Sequence, residues 1–382
     1  MKLRGRFRRI AHLDPVISSV TLLLLLFGVV MVYSSSSLVG AERFGDSAYF
    51  LKRHLMWLGL GLFGMTLIFF VNPLFWRKLG VPGLVIGCGL LLIVILTGAG
   101  VEKKSATRWL TFGGFTFQPS EFVKLILVVY VASYLAKKRT RIRDLYKGLL
   151  PLLGTVGAVL FMILQQPDFG TTILMVIVIG LMIFEAEARF YHLAGILLPV
   201  LLAGFYLIQS VPYRRRRLLA FFHPWEDPQG SGFQIIQSFV AFQQGGIQGQ
   251  GLGDGTQKLL YLPEAHTDFI YSVIAEELGL AGSLVVIVLF ALLVYRGLRL
   301  AVRLQEPFAS QIAFGITCLI GLQAFFHMAV VMGMVPTKGL TLPFISYGGS
   351  SLVVTLFCIG ILLSLSAAVS TSMAKRTPGR KA

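Results

Sequence analysis

Long apolar runs joined by short polar links make up most of the chain, and within each run the hydrophobic residues are continuous rather than alternating. A continuous run of about 20 apolar residues crosses a bilayer as a helix, because every backbone N–H and C=O must find its partner inside hydrocarbon. About ten such helices are predicted, over 16–36, 53–71, 81–97, 119–136, 148–166, 170–187, 191–211, 270–295, 307–332 and 343–369. The lack of period-two alternation excludes a transmembrane barrel. The first run is rich in leucine and is followed by Tyr33 and Ser34 to Ser37 without a clear cleavage pattern, so it reads as the first span.

One long polar interruption breaks this rhythm between spans 7 and 8, and it reads as a loop over 212–269. It opens on Arg214, Arg215, Arg216 and Arg217 and closes on Pro263-Glu264-Ala265-His266-Thr267-Asp268. Between them, Phe233 to Phe242 is an apolar run with Gln234 and Gln237 on one helical face, which predicts a short interfacial or re-entrant helix. The glycines from Gly245 to Gly255 follow and read as a hinge or lid.

Composition confirms the class: 382 residues, 55% hydrophobic and only 13% charged, with a mean hydropathy of +0.78, exclude a soluble globular domain. The net charge of +17 points to topogenesis beside anionic lipid rather than to nucleic acid. Lysine and arginine concentrate in 1–10, 77–78, 137–147 and 296–303 and near the C-terminus, which predicts both termini cytoplasmic and the long loop extracytoplasmic. The expected organisation is all-α: tails at 1–15 and 370–382, spans 1–7 within 16–211, the loop at 212–269 and spans 8–10 within 270–369. Cys88, Cys318 and Cys358 all fall in apolar runs and read as small core residues; no Cys/His spacing suggests zinc.

Polar residues at membrane depth are costly, so each needs a role. Glu121 and Lys124, three apart, either neutralise one another or let Lys124 face a phosphate. Gln323 and His327, four apart, read as a buried hydrogen-bonded pair. Asp168 either caps the helix that follows or joins a site. Arg108, beside Trp109, is placed to clamp a pyrophosphate. The prolines and glycines of 336–351, interspersed with Lys338, Ser346 and Tyr347, break helix in a way that survives where it lines a cavity. Asp268 stands where the loop meets a span; shielding there disfavours its charged form and suits a general base, against the alternatives of a cap or an ion pair. The arginine run is either a solvated charge cluster or a site for phosphate or an acidic partner.

These residues lie in longer motifs: Ala106-Thr107-Arg108-Trp109, Phe117-Gln118-Pro119-Ser120-Glu121-Phe122, Gln166-Pro167-Asp168-Phe169-Gly170, Pro224-Trp225, Lys258 to Ile270, Glu276-Glu277-Leu278-Gly279 and the 336–351 block. In that order the chain resembles the shape, elongation, division and sporulation (SEDS) family over about 14–370, and within it the division branch. Ser105 before Ala106 departs from the glycine usual there. The resemblance implies a peptidoglycan glycosyltransferase of the bacterial cytoplasmic membrane, acting at the septum. Its implied substrate is lipid II, the undecaprenyl-pyrophosphate disaccharide pentapeptide, with undecaprenyl pyrophosphate as leaving group.

Asp268 falls on the family's catalytic position. Glu121, Lys124, Arg108, Asp168, His266, Lys338, Ser346 and Tyr347 become candidates for binding substrate or its pyrophosphate, and Arg214 to Arg217 for steering. The resemblance further implies a class B penicillin-binding transpeptidase and other division-complex membrane proteins as partners. A divalent cation, Mg2+ or Mn2+, is implied in the same way, although no ligand cluster is evident in the residues. A lipid II flippase and a noncatalytic septal scaffold are the alternatives.

Overall fold

The computed structural model describes residues 13–97, 102–103, 106–112, 115–258, 262–337 and 339–376. Helices occupy every predicted span. They are α1 (Pro15–Phe44), α2 (Tyr49–Phe70), α3 (Phe75–Thr97), α4 (Pro119–Lys137), α5 (Leu150–Gln165), α6 (Phe169–Glu185) and α7 (Phe190–Gln209). After them come α8 (Pro212–Phe222), α9 (Phe233–Gly245), α10 (Ile270–Arg303), α11 (Pro307–Val331) and α12 (Gly349–Arg376). The molecule is thus an all-α polytopic membrane protein, with eight helices long and apolar enough to cross a membrane among the described residues. The other two predicted spans are helical as well, α6 with 17 residues and α7 with an apolar stretch over Phe190–Tyr206.

Three further boundaries differ from expectation. The third helix starts at Phe75 and carries Pro82 inside it, a break that neighbouring helices tolerate in a bundle. The last helix begins at Gly349 rather than 343, because Pro343 has no N–H to donate and Phe344 adopts φ 67°. The 212–269 segment is only partly loop: the arginine run lies on α8, and the predicted interfacial helix appears as α9. Between α3 and α4, two short antiparallel hairpins stand in an otherwise helical chain: β1 (Glu102–Lys103) with β2 (Ala106–Thr107), and β3 (Leu110–Phe112) with β4 (Phe115–Phe117).

The core is formed by α4, α11 and α12, the most buried of the candidate spans. Helix α12 packs on α2, and α11 packs on α10, α4 and α6. Helix α1 rests on α10 and α2, and α9 lies against α10. Leucines on α2 and α3, such as Leu60, Leu67 and Leu96, remain exposed, as expected of a surface whose solvent is lipid.

A kink divides α10 at Gly279, where φ is 64° and ψ −159°. Its amide side abuts the glycine-rich segment: Leu280 N donates to Gly246 O at 2.9 Å, and a Cβ built on Gly279 would lie 2.4 Å from Gly249 N. Only glycine permits that approach.

Candidate active site

The turn that ends the long interruption is folded back on itself. The amides of Thr267, Asp268 and Phe269 all point at Glu264 O, at 3.0, 3.1 and 3.4 Å. This turn is clasped by the chain before α12: Ser346 Oγ donates to Thr267 O at 2.7 Å, and Tyr347 N donates to His266 O at 2.9 Å. Ser346 Oγ also accepts from Leu342 N at 2.8 Å, so one hydroxyl closes its own loop and holds the neighbouring one. Glu264 and Phe344 sit at φ 60° and 67°, one on each of the two apposed segments. Non-glycine residues held there cost of order 1–3 kcal/mol and cluster where geometry is functional.

Asp268 stands half-buried at this junction. Its carboxylate lies against the backbone of Gly339, where an added Cβ would come within 3.2 Å of Oδ2. Helix α2 supplies the wall: the Phe50 ring is tilted against that of His266 (4.7 Å between centroids) and edge-on to Tyr347 (5.3 Å). Arg53 lies over the Tyr49 ring, 4.8 Å from its centroid, with its charge near the Tyr347 hydroxyl. Sequence reasoning missed Phe50 and Arg53, and with them His54, whose ring lies 6.4 Å from that of Tyr347; the signal was the Lys52-Arg53-His54 run at the head of an apolar helix.

The 339–348 loop is anchored from below. Buried Lys124 pairs with Glu121 at 2.9 Å and donates to Gln323 Oε1 at 2.9 Å. Gln323 Nε2 in turn donates to Thr341 O at 3.0 Å, and Thr341 Oγ1 to Ser351 Oγ at 2.9 Å. His327 Nδ1 meets Leu340 O at 2.7 Å. Gln323 and His327 therefore serve the loop rather than each other, because both project from α11 toward residues 340–341. Lys124 is 1% exposed, so its charge is held by this chain of partners.

Arg108 and Asp168 meet at a second point. Arg108 Nε donates to Gln166 O at 2.7 Å and Nη2 to Pro167 O, while Nη1 lies 3.9 Å from Asp168 Oδ1. Asp168 caps α6 by accepting from Thr171 N at 3.2 Å and accepts from Ser120 Oγ at 3.3 Å. Gln118 connects this cluster to α12: its amide donates to Ser350 Oγ at 3.0 Å, and its Nε2 to Ser120 Oγ at 3.0 Å.

On α8, Arg217 Nη1 donates to Thr337 O at 3.3 Å, which ties the arginine run to the same loop. Arg215 and Arg216 are exposed; the side chain of Arg214, like Lys338, lies outside what is described.

The glycine-rich segment is not a free hinge. Glu276 and Glu277, both essentially unexposed, organise it. Glu276 accepts from the amides of Thr256 and Gln257 at 2.6 and 3.0 Å. Glu277 pairs with Lys258 at 2.6 Å and accepts from Ser34 Oγ of α1 at 2.7 Å. Sequence reasoning saw these glutamates only as part of a motif, since two adjacent acids at a helix start read equally well as surface. Among the described residues, no group of three or more His, Cys, Asp or Glu could hold a metal ion.

A membrane-embedded helical bundle with a half-exposed carboxylate between a folded turn and a broken helix is the class that fold and site define. Residues 15–371 match the FtsW/RodA/SpoVE family of cell cycle proteins. The chain is 47% identical over 367 residues to a probable peptidoglycan glycosyltransferase FtsW of Geobacter sulfurreducens, covering 96% of this chain and 98% of that one. It is 42% identical over 354 residues to the stage V sporulation protein E of Bacillus subtilis, covering 92% and 96%.

Among solved structures it resembles a chain of a peptidoglycan synthase complex that coordinates polymerization and crosslinking (TM-score 0.75, 30% identity, 93% of this chain and 97% of that one). It also resembles the rod shape determining protein RodA of Thermus thermophilus (TM-score 0.68, 26% identity, 93% and 96%). The chain belongs to the FtsW/RodA/SpoVE family, the SEDS proteins.

Proposed function

We propose that this protein is a peptidoglycan glycosyltransferase that polymerises lipid II into glycan strands during septal wall synthesis, with Asp268 as its general base. The observation that carries the reading is the Asp268 carboxylate, half-exposed and lying against Gly339 in a clasp of two apposed segments. The similarity to probable peptidoglycan glycosyltransferases over nearly the whole chain supports the reaction class.

In this reading the 4-hydroxyl of an acceptor N-acetylglucosamine attacks the anomeric carbon of a donor N-acetylmuramic acid. Asp268 takes the hydroxyl proton as the new C–O bond forms. The bond from the anomeric carbon to the pyrophosphate oxygen breaks, and undecaprenyl pyrophosphate departs with the electron pair. An α-linked donor becomes a β-linked product, so a single displacement with one carboxylate suffices.

Charge developing on the pyrophosphate is stabilised by preorganised donors. Arg108 and Lys338 are assigned here, with His266 and Tyr347 bounding the acceptor side and Ser346 holding the clasp. Glu121 and Lys124 act at one remove, by fixing the loop through Gln323, and Asp168 by orienting Arg108. Arg214 to Arg217 steer the anionic lipid toward Thr337, whose carbonyl Arg217 already meets.

The charge bias along the chain supports both termini in the cytoplasm and Asp268 on the outer face of the cytoplasmic membrane. A class B penicillin-binding transpeptidase is the proposed partner, supported by the likeness to a chain of a synthase complex that couples polymerization and crosslinking. The test is reconstitution of the full chain with its partner on fluorescent lipid II. Glycan ladders from the wild type and none from Asp268→Asn support the assignment; ladders of equal length from D268N overturn it. Transfer of label across vesicles without ladders would favour a flippase instead.

A further inference from the structure

At the far end of α10 from Asp268, about 50 Å away by helical rise, a cavity of about 150 Å³ opens between α1, α10 and α12. Arg296, Arg299 and Arg303 line it from α10. Their three- and four-residue spacing puts them on one helical face. A single carboxylate answers them. Asp14 Oδ2 pairs with Arg296 Nη2 at 2.7 Å, while Asp14 Oδ1 is already engaged as the cap of α1, accepting from Val16 N and Ile17 N at 3.0 and 3.2 Å.

Three guanidinium groups therefore face one acid, and neither Arg299 nor Arg303 has an ion-pair partner among the described residues. The Arg296 Nε is buried without a hydrogen-bond partner. A buried donor of that kind costs stability unless an acceptor is supplied.

The rest of the lining is apolar or neutral: Leu13, Pro15, Leu300 and Val369, with Ser366 on α12 donating its hydroxyl to Leu363 O. The volume is comparable to a cavity that admits a small ring compound, enough for a phosphate with part of its glycerol. A free anion needs only the arginines. The apolar part of the lining, at the end of a transmembrane bundle, suits a group that carries hydrocarbon with it.

We propose that this cavity binds the phosphodiester headgroup of an anionic phospholipid, with Arg299 and Arg303 gripping its two non-bridging oxygens and Arg296 Nε donating to one of them. Guanidinium forks match phosphate oxygens in pairs, which a lysine-lined pocket would not do. Occupancy joins α1, α10 and α12 at the end of the bundle opposite the proposed reaction site. This site stands independently of the catalytic reading.

The test uses the full-length protein in uncharged detergent, with lipid retention followed by native mass spectrometry and thermal unfolding. Phosphatidylglycerol, phosphatidylcholine and inorganic phosphate are titrated in parallel. Wild-type protein is expected to bind phosphatidylglycerol above phosphatidylcholine. Each arginine contributes about fivefold near an anionic headgroup, so Arg299→Gln/Arg303→Gln together lower that affinity by about 25-fold.

Arg139→Gln, an exposed basic residue elsewhere on the chain, serves as the charge control and should leave binding unchanged. The single variants R299Q and R303Q provide the same reading if the double variant unfolds. Equal phosphatidylglycerol binding by wild type and R299Q/R303Q overturns the site. So does equal binding of the two lipids by the wild type. Arginine-dependent binding of inorganic phosphate without lipid overturns the headgroup assignment.

Discussion

Asp268 and Glu277 lie nine residues apart on the same stretch of chain, yet the fold treats their carboxylates in opposite ways. Asp268 is half-exposed and faces the bare backbone of Gly339. Glu277 is 1% exposed, salt-bridged to Lys258 and hydrogen-bonded by Ser34 and Gly253 N. A carboxylate whose acceptor sites are filled by the protein has no capacity left for a substrate proton. Asp268, half-buried at a junction held in costly backbone geometry, keeps part of its surface within reach of a substrate. The difference separates a site from a strut within three turns of helix.

The comparison breaks first at Asp268. Asp268→Asn should lower polymerisation by about 10²–10⁴-fold, the usual contribution of a general base, while the melting temperature barely moves. Glycan-ladder assays and thermal unfolding on the same preparation read both effects; a large loss of stability would return Asp268 to the structural class.

Glu277→Gln should do the reverse. Leaving Lys258 buried without its counter-charge costs about 3–5 kcal/mol, measured as a fall in the unfolding midpoint. Lys258→Met/Glu277→Leu should recover most of that loss, since the desolvation penalty goes with the pair. An E277Q protein as stable as wild type would remove the distinction.

A smaller effect sharpens the geometry. Gly339→Ala puts a methyl 3.2 Å from Asp268 Oδ2 and should reduce turnover about tenfold through displacement of the carboxylate. Stability should hold, and unchanged turnover would show that the loop yields without moving Asp268. Smallest is Ser346→Ala, which opens the clasp to Thr267 O at a cost of roughly 1 kcal/mol. Hydrogen exchange at the Thr267 to Phe269 amides should rise, and no change there would count against Ser346 as the fastener.

Much of the fold was readable from pattern alone, because in a bilayer the backbone allows little besides helix. The margins were less readable. The 343–348 stretch is as apolar as a span end, and only Pro343, Gly348 and the positive φ of Phe344 reveal a loop. Of the site, the Asp268 turn and the 336–351 break were visible as polar and proline-glycine signals inside apolar sequence. The partners of Lys124 were visible only in part: Glu121 is three residues away, but Gln323 is 199 residues distant. The glycine-rich segment read as a hinge for a similar reason. The two glutamates that pin it belong to the next helix, and burial rather than residue type is what makes them anchors.

Sequence by itself determined that this chain is a polytopic helical membrane protein and where its chemistry concentrates, because hydrophobic period and helix-breaking residues act locally. Tertiary structure decided which charges are sealed in the bundle and which keep an exposed surface. Lys124, Lys258 and Glu277 are sealed in the interior, while Asp268 is only half-buried and Arg299 and Arg303 are exposed. That choice depends on what each side chain meets across the bundle, and contact between segments hundreds of residues apart has no signature along the chain.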